Sequence, residues 1–457
     1  MENKKFGMVD KIGYMFGDFG NDFTFVLATL FLMKFYTDVM AVDGAVVGLL
    51  MMLARVVDAF TDVTMGQIVD RSKPKAKGKF MPWLVRMSGP VALASLLMYA
   101  TWFADMSMSF KIAWMFATYL LWGSICYTGI NIPYGSMASA ISADPNDRAE
   151  LSKWRTVGGA LASIVIGVIV PLVVYYTDDA GNQILSGTKM TIVALICSVG
   201  AVLCYLLCYR MCTERVKVER VEEKFDLKAI MLSLVRNRAL MAIVISTLGA
   251  LIAQTALGGM AAYIYPNYFR SSAAQSVATA AGVVVTLICS VFVLKLTDRF
   301  GRRETGIAAA LFSSAVLVIT MVLHTRDAWV FTFLYALVYA GYGVFSLITW
   351  AMITDVIDDT EIKTGQRSDG TVYSVYSFAR KMGQAASTGL YGMLLSMIGY
   401  SVETAFDPVV TDGIYYITCG VPLFGFLLLG VVLKFMYPLD KQTVLDNAKK
   451  LEEKYRS

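Results

Sequence analysis

The chain has 457 residues, 57% hydrophobic and 16% charged, with a net charge of +5 at neutral pH. Soluble domains carry about a quarter charged residues, so the composition excludes a soluble globular domain and points to a membrane-embedded chain. The positive charge sits in connections between apolar runs rather than in one patch, which excludes a nucleic-acid surface, and the single histidine, His324, argues against histidine-based proton relays or metal chemistry.

At about 20 apolar residues per membrane-crossing helix, twelve spans are predicted. They lie near 10–38, 42–70, 81–104, 109–142, 150–177 and 188–210, then near 238–267, 275–300, 305–325, 328–358, 371–400 and 411–438. The first has no small-residue cleavage site behind it and is far longer than a signal-peptide core, so it is read as an uncleaved helix. It contains GYMFGDFGNDF, with Asp18 and Asp22 one turn apart beside Gly13, Gly17 and Gly20. These glycines allow another helix or a ligand to approach the backbone. The deeper carboxylate, Asp22, suits hydrogen bonds to sugar hydroxyls.

The second span carries RVVDAFTD. Arg55, Asp58 and Asp62 fall at i, i+3 and i+7 on one stripe, and the two carboxylates are about 5–6 Å apart at Cβ. Each ionisable residue near mid-bilayer costs roughly 2.5–3.5 kcal/mol or more, and one arginine cannot compensate two acids. A bridging cation or a shared proton makes the pair tolerable. Thr61, Thr64 or a neighbouring helix would add neutral oxygens around a small alkali cation.

The basic loop RSKPKAKGK at 71–79, the 210–238 connection and RFGRR at 299–303 place both termini in the cytoplasm by the positive-inside rule. In the fourth span, WGSICYTGINIPYGSM, Pro133 lies between Gly129 and Gly135 and is expected to kink or unwind the helix. Freed carbonyls and Thr128 are then candidate cation ligands, and Asn131 a candidate substrate contact. Arg155 stands at the mouth of the fifth span. Cys204, Cys208 and Cys212 share one face of the sixth and are read as small packing residues.

The polar connection 212–237 divides the chain into a six-helix half at 1–211 and a second at 238–438, with a short charged tail at 439–457. Asp70-Arg71 and Asp298-Arg299 stand at matching places (298 − 70 = 228) and read as helix-end charges compatible with gating. The end of the tenth span, TDVIDDTEIKTGQRSDG, adds Asp355, Asp358 and Arg367 to the gating set. The eleventh carries YSVYSFARKMGQAASTG, with Arg380 and Lys381 deep in an apolar run, Gln384 one turn on, and Tyr376 on the same helix. Such a basic pair needs an acidic partner or an anionic substrate. Neighbouring residues are separated by 100° around a helix, so Lys381 is assigned to the cavity ahead of Arg380.

Two six-helix halves with matching D-R pairs and basic loops resemble the major facilitator superfamily. Together these stretches resemble the glycoside–pentoside–hexuronide:cation symporter family over essentially the whole chain. The family's DAxxDxxMG stands here as Asp58-Ala59 through Asp62 to Met65-Gly66, followed by a KGKF loop. Its D-x-x-D-x-x-E segment stands as Asp355, Asp358 and Glu361, and FYTD at 35–38 fits as well. The resemblance implies an all-α membrane protein of twelve transmembrane helices in two halves that rock around a midplane site. It implies cation binding by Asp58 and Asp62, assisted by Thr128. It also implies sugar contact by Asp22, a lysine near both sites at Lys381, and an arginine lining the sugar cavity at Arg155.

This chain departs from the family's galactoside carrier at three positions. Thr61 replaces an asparagine, Asn131 an aspartate and Gly135 an aromatic residue, while Arg380-Lys381 resembles the Arg-Lys pair of glucuronide and sulfosugar members. Losing an acid and gaining a base both favour an anionic substrate. The expected function is therefore uptake of a hexuronide or glucuronide coupled to H+ or Na+, by alternating access in the cytoplasmic (inner) membrane. A neutral glycoside or pentoside, or a lipid-like substrate, is the alternative. No HExxH, GxSxG or P-loop pattern is found, so neither an enzyme nor an organic cofactor is expected. The expected partners are a small sugar and the bilayer, with no nucleic acid and no obligate protein partner.

Overall fold

Residues 5–75, 77–216, 237–364 and 369–456 are described by a computed structural model of the chain. Arg367 and most of the 212–237 connection lie outside the described residues. Helix starts follow the capping residues in the sequence. Asp43, Asp144, Ser186, Asn237 and Ser271 each accept a backbone N–H of the first turn, and Pro145 occupies the first helical position after Asp144.

In the first half, α1 is Met8–Asp38, α2 Gly44–Arg71 and α3 Met81–Met98. Helix α4 starts at Met108–Leu120, winds as a π-helix over Leu121–Tyr127 and continues as Thr128–Ile141. Helix α5 is likewise built from Pro145–Ile164, a π segment at Val165–Ile169 and Val170–Val174. A small antiparallel hairpin, β1 Tyr175–Thr177 with β2 Gln183–Leu185, leads into α6, Gly187–Met211. The fifth span therefore ends three residues earlier than the predicted 177, where Asp178 turns the chain by accepting the Ala180 and Asn182 N–H groups at 2.9 and 2.7 Å.

In the second half, α7 is Arg238–Tyr263 with a π segment to Tyr268, α8 is Ser272–Phe300 and α9 Arg302–Leu323. Then come α10 Ala328–Thr364, α11 Asp369–Met397 and α12 Pro408–Phe435. Gly301 alone joins α8 to α9 at φ +94°, a conformation that side-chain-bearing residues rarely adopt. The predicted tail is in part a helix, α13, Lys441–Arg456.

Twelve long helical spans are thus present among the described residues, the all-α architecture expected from the sequence. Nine are long and apolar enough to cross a membrane on length and composition alone. The other three, α1, α4 and α11, carry many of the polar residues singled out above. Helix α8 turns Leu287, Ile288, Val291, Phe292 and Leu294 outward, an apolar surface suited to lipid.

The chain forms two compact units, one built on the first six helices together with Gly399–Phe406, the other on the second six. The same neighbour pattern recurs within each. In the first, α1 packs on α5 and α6, α3 on α4 and α6, and α2 on α4. In the second, α7 packs on α11 and α12, α9 on α10 and α12, and α8 on α10. Each half is thus the same arrangement, shifted by six helices. The close contacts use small residues: a Cβ on Gly13 would lie 2.7 Å from Met211 Cβ, and one on Gly20 2.9 Å from Cys204 Cβ. Cys204 and its neighbours Cys208 and Cys212 are buried against α1, as packing residues would be.

Candidate functional site

The acid pair of α2 faces the π-helical part of α4. Ser124 donates its hydroxyl hydrogen to Asp58 Oδ1 at 2.5 Å, and Thr128 donates to Asp62 Oδ1 at 2.7 Å. Asp58 is buried, and Arg55 Nη1 lies 3.7 Å from its Oδ2. The Arg55 guanidinium also stands over the Phe25 ring at 5.0 Å, and that ring stacks on Tyr127. Within α4, the Thr128 N–H reaches Gly123 O, five residues back, and Thr128 Oγ1 lies 3.1 Å from the same carbonyl. Proline cannot donate a backbone hydrogen bond. The π turn lies just ahead of Pro133, in the helix predicted to be interrupted.

The sequence reading places Thr61 beside the carboxylates. Its hydroxyl instead turns back to its own helix, donating to the Asp58 carbonyl at 3.2 Å, a common habit of helical threonine. Thr64 does the same to Phe60 O at 3.0 Å. The neutral hydroxyls at the acid pair thus come from α4, and Ser124 is not singled out by sequence. Its one signal is its position four residues before Thr128, which matches the four-residue spacing of Asp58 and Asp62. Among the described residues no group of three or more His, Cys, Asp or Glu could hold a metal ion. An ion here would need neutral oxygens as well as the two acids.

A second polar group joins α1, α4, α5 and α6. Arg155 Nε donates to Asp18 Oδ1 at 2.9 Å, and its guanidinium lies 5.3 Å from the centre of the Tyr134 ring. A Cβ on Gly159 would come within 2.8 Å of Asp22 Oδ2 and 3.1 Å of Asp18 Oδ2, so both carboxylates approach the bare backbone of α5. Asn131 Oδ1 accepts from Asn21 Nδ2 at 3.0 Å, and Asn21 Oδ1 accepts from Tyr205 at 2.7 Å. The buried Asn21 therefore fixes Asn131, a role with no sign in the sequence. Tyr14 and Tyr134 stack at 4.7 Å, and Tyr134 donates to the Tyr14 carbonyl at 2.6 Å.

The remaining candidates lie in the second unit or at the ends of helices. On α11, Tyr376 is buried edge-on to Trp350 at 5.0 Å, Lys381 and Gln384 are half-buried, and Arg380 is exposed. Among the gating candidates, Asp70 pairs with Lys79 at 3.6 Å, while Arg71 is exposed. Asp298 and Arg299 end α8, where their carbonyls accept from Lys441 Nζ at 2.6 and 3.3 Å. Asp355 pairs with Arg302, and Asp358, three residues on, is half-buried.

Two six-helix units with the same internal packing, the first holding acids of α2 against hydroxyls of α4, are the architecture of a multi-pass membrane transporter of the major facilitator type. The chain matches the MFS/sugar transport protein family over residues 13–441 and belongs to that family, which makes it a transporter and not an enzyme. It is 30% identical to the "Uncharacterized symporter YjmB" of Bacillus subtilis (strain 168), covering 96% of this chain and 94% of the relative. It is 29% identical to the "Glucuronide carrier protein homolog" of Escherichia coli (strain K12), covering 97% and 96%. The "Isoprimeverose transporter" of Lactiplantibacillus pentosus is 28% identical over 94% of this chain and 89% of its own. Among solved structures, the nucleoside transporter NupG superimposes with a TM-score of 0.64 at 14% identity, covering 94% of this chain and all of that one. That likeness concerns the fold.

Proposed function

We propose that this protein is a cation-coupled sugar importer of the cytoplasmic membrane, with both termini cytoplasmic, working by alternating access. The observation that carries the reading is the acid pair Asp58 and Asp62, each held by a hydroxyl of α4. An ion on the pair lowers the cost of buried charge and favours the sugar-competent state. Reciprocal coupling then lets an ion gradient drive sugar uptake. Asp22, Asn131, Arg155, Tyr376, Arg380, Lys381 and Gln384 are the proposed sugar-contacting residues. Asp70, Arg71, Asp298, Arg299, Asp355, Asp358 and Arg367 are the proposed gating charges.

For the substrate we propose an anionic hexuronide such as a glucuronide. The neutral Asn131 and the basic Arg380-Lys381 pair support this, as does a relative named for glucuronide. A neutral glycoside is the second reading, favoured by the relative named for isoprimeverose. The test is uptake of a labelled glucuronide and of a labelled neutral disaccharide into proteoliposomes, with sodium and proton gradients imposed separately. Accumulation driven by one gradient and lost in Asp62→Asn supports the symport mechanism and identifies the ion. Accumulation of the neutral sugar alone overturns the anionic substrate. Gradient-driven uptake that survives in Asp62→Asn overturns the mechanism.

A further inference from the structure

The basic connection between α2 and α3 is a folded turn. Lys75 and Gly78 exchange backbone hydrogen bonds at 2.9 and 3.0 Å, and Gly78 turns the chain at φ +114°. Glu214 then holds the next three residues by accepting the N–H groups of Lys79, Phe80 and Met81. Beside this turn is a cavity of about 180 Å³, lined chiefly by Ser72, Lys73, Lys75, Lys79, Trp83 and Arg86. Lys77, the remaining base of the turn, stands instead over the Tyr209 ring of α6, 4.2 Å from its centre.

Four cations line the cavity, and few acids oppose them. Lys79 lies 3.6 Å from Asp70, and the Glu214 carboxylate is taken up by its three backbone donors. Among the described residues no carboxylate pairs with Lys73, Lys75 or Arg86. The Arg86 guanidinium is 5.1 Å from the centre of the Trp83 ring, whose indole N–H reaches Ser72 Oγ at 3.5 Å. Tryptophan beside cations is typical of the membrane–water interface. Further along α3 the surface turns apolar. Pro82, Arg86, Gly89 and Leu93 follow one another on one stripe of the helix. Gly89 is exposed with open space where a Cβ would stand, and Leu93 is 59% exposed. The basic cavity thus continues into an apolar track along α3.

We infer that this cavity binds the phosphate of an anionic phospholipid, with an acyl chain lying along the α3 stripe. From the proposed function the inference takes only the orientation that puts this turn on the cytoplasmic side. Basic pockets beside transmembrane helices on that side suit phospholipid head groups. Arg86 is long enough to reach head-group level from the second turn of α3, and its planar guanidinium matches two phosphate oxygens at once. Lys73 and Lys75 supply point charges from the other wall. The apolar track selects a lipid over a free phosphate, because a small water-soluble anion would leave it uncovered. Bound there, the lipid clamps the connection between α2 and α3, which Glu214 already grips.

The test is native mass spectrometry of the full-length, delipidated protein in detergent. It is titrated with phosphatidylglycerol and, separately, with phosphatidylcholine carrying the same acyl chains. The variants are Lys73→Gln with Lys75→Gln, Arg86→Gln, and Lys77→Gln as the charge control. All four side chains are exposed, so the variants should fold. The expected result is phosphatidylglycerol binding roughly tenfold or more tighter than phosphatidylcholine binding. That affinity should fall roughly tenfold in the double variant and in Arg86→Gln, and stay at the wild-type value in Lys77→Gln. Equal affinity for the two lipids, or wild-type binding in the double variant, overturns the inference. A loss in Lys77→Gln as large as in the double variant means attraction to the charge of the whole turn and overturns the cavity. Glycerol 1-phosphate that displaces phosphatidylglycerol at equal concentration shows a free-phosphate site and overturns the lipid. The readout needs no gradient and no sealed membrane, so failure of the symport reading leaves it unaffected, and its own failure leaves symport standing.

Discussion

Arg155 donates to Asp18 at 2.9 Å, while Asp22, one turn further along α1, has no hydrogen-bond partner among the described residues. The arginine thus has a counter-ion of its own, and the second acid is available to a ligand. Asp22→Asn should raise the apparent KM for sugar roughly tenfold or more with little effect on thermal stability. Asp18→Asn should instead lower the melting temperature modestly, by about 1 kcal/mol of stability for a partly exposed pair. Uptake kinetics and thermal unfolding of both variants check this, and the opposite split would exchange the two roles.

Gly158 and Gly159 are adjacent and should fail in different ways. A Cβ on Gly158 would collide with the Met15 carbonyl of α1, whereas one on Gly159 would meet only the ends of the Asp18 and Asp22 side chains. Gly158→Ala should therefore destabilise the helix contact by about 1–3 kcal/mol. Gly159→Ala should fold normally and transport poorly. Melting curves and uptake measured side by side distinguish them.

Thr61 and Thr128 form a second contrasting pair, because one bonds to its own helix and the other to Asp62. Thr128→Val should raise the half-saturating concentration of the activating cation roughly tenfold, and Thr61→Val should leave it near the wild-type value. Titrating the driving cation in an uptake assay gives both numbers.

Lys34 is 1% exposed, with its ammonium 2.7 Å from both Asp38 Oδ2 and the Tyr400 hydroxyl, which in turn donates to Asp38 Oδ1 at 2.7 Å. Lys34→Met leaves the half-buried Asp38 carboxylate without its cation, though still with the Thr37 and Tyr400 hydroxyls, and should cost about 1–3 kcal/mol. Adding Asp38→Asn should recover part of that loss. Unfolding of the two single variants and the double variant checks the coupling, and strictly additive losses would contradict it.

Glu214 accepts the backbone N–H groups of Lys79, Phe80 and Met81 at 2.7, 2.9 and 2.7 Å, capping the start of α3 from a segment far along the chain. Glu214→Gln replaces an anionic acceptor with a neutral amide and should cost about 1–2 kcal/mol, measured as a fall in melting temperature with uptake retained.

The spans were legible because a bilayer demands long apolar helices, and the charges of α1, α2 and α11 were conspicuous against that background. Asp58 and Asp62 stood out because ionisable residues inside a membrane helix are rare and costly. Ser124 and Asn21 could not, since a serine or asparagine inside a membrane helix most often bonds locally, and only the neighbouring helix distinguishes the exceptions. The π turn at Leu121–Tyr127 left no trace either, because residues suited to an α-helix also accommodate one π turn. That the Thr61 hydroxyl bonds to its own helix was not legible either, because side-chain direction within a helix, not adjacency in sequence, decides what it meets. The hairpin after α5 and helix α13 were hidden by polar sequence that suits loops equally well.

Helix α13 bears on how this protein can be handled. Two acids near the end of α10, Asp359 and Glu361, are buried, and residues of α13 reach both: Asn447 donates to Asp359 at 3.3 Å and Lys454 to Glu361 at 2.8 Å. A truncation after Pro438, which the sequence alone would recommend as removal of a loose end, strips those partners from buried carboxylates. The safe place for an affinity tag or fluorescent fusion is therefore beyond the last turn of α13, and shortened versions should be screened for solubility in detergent before any loss of transport is blamed on the site.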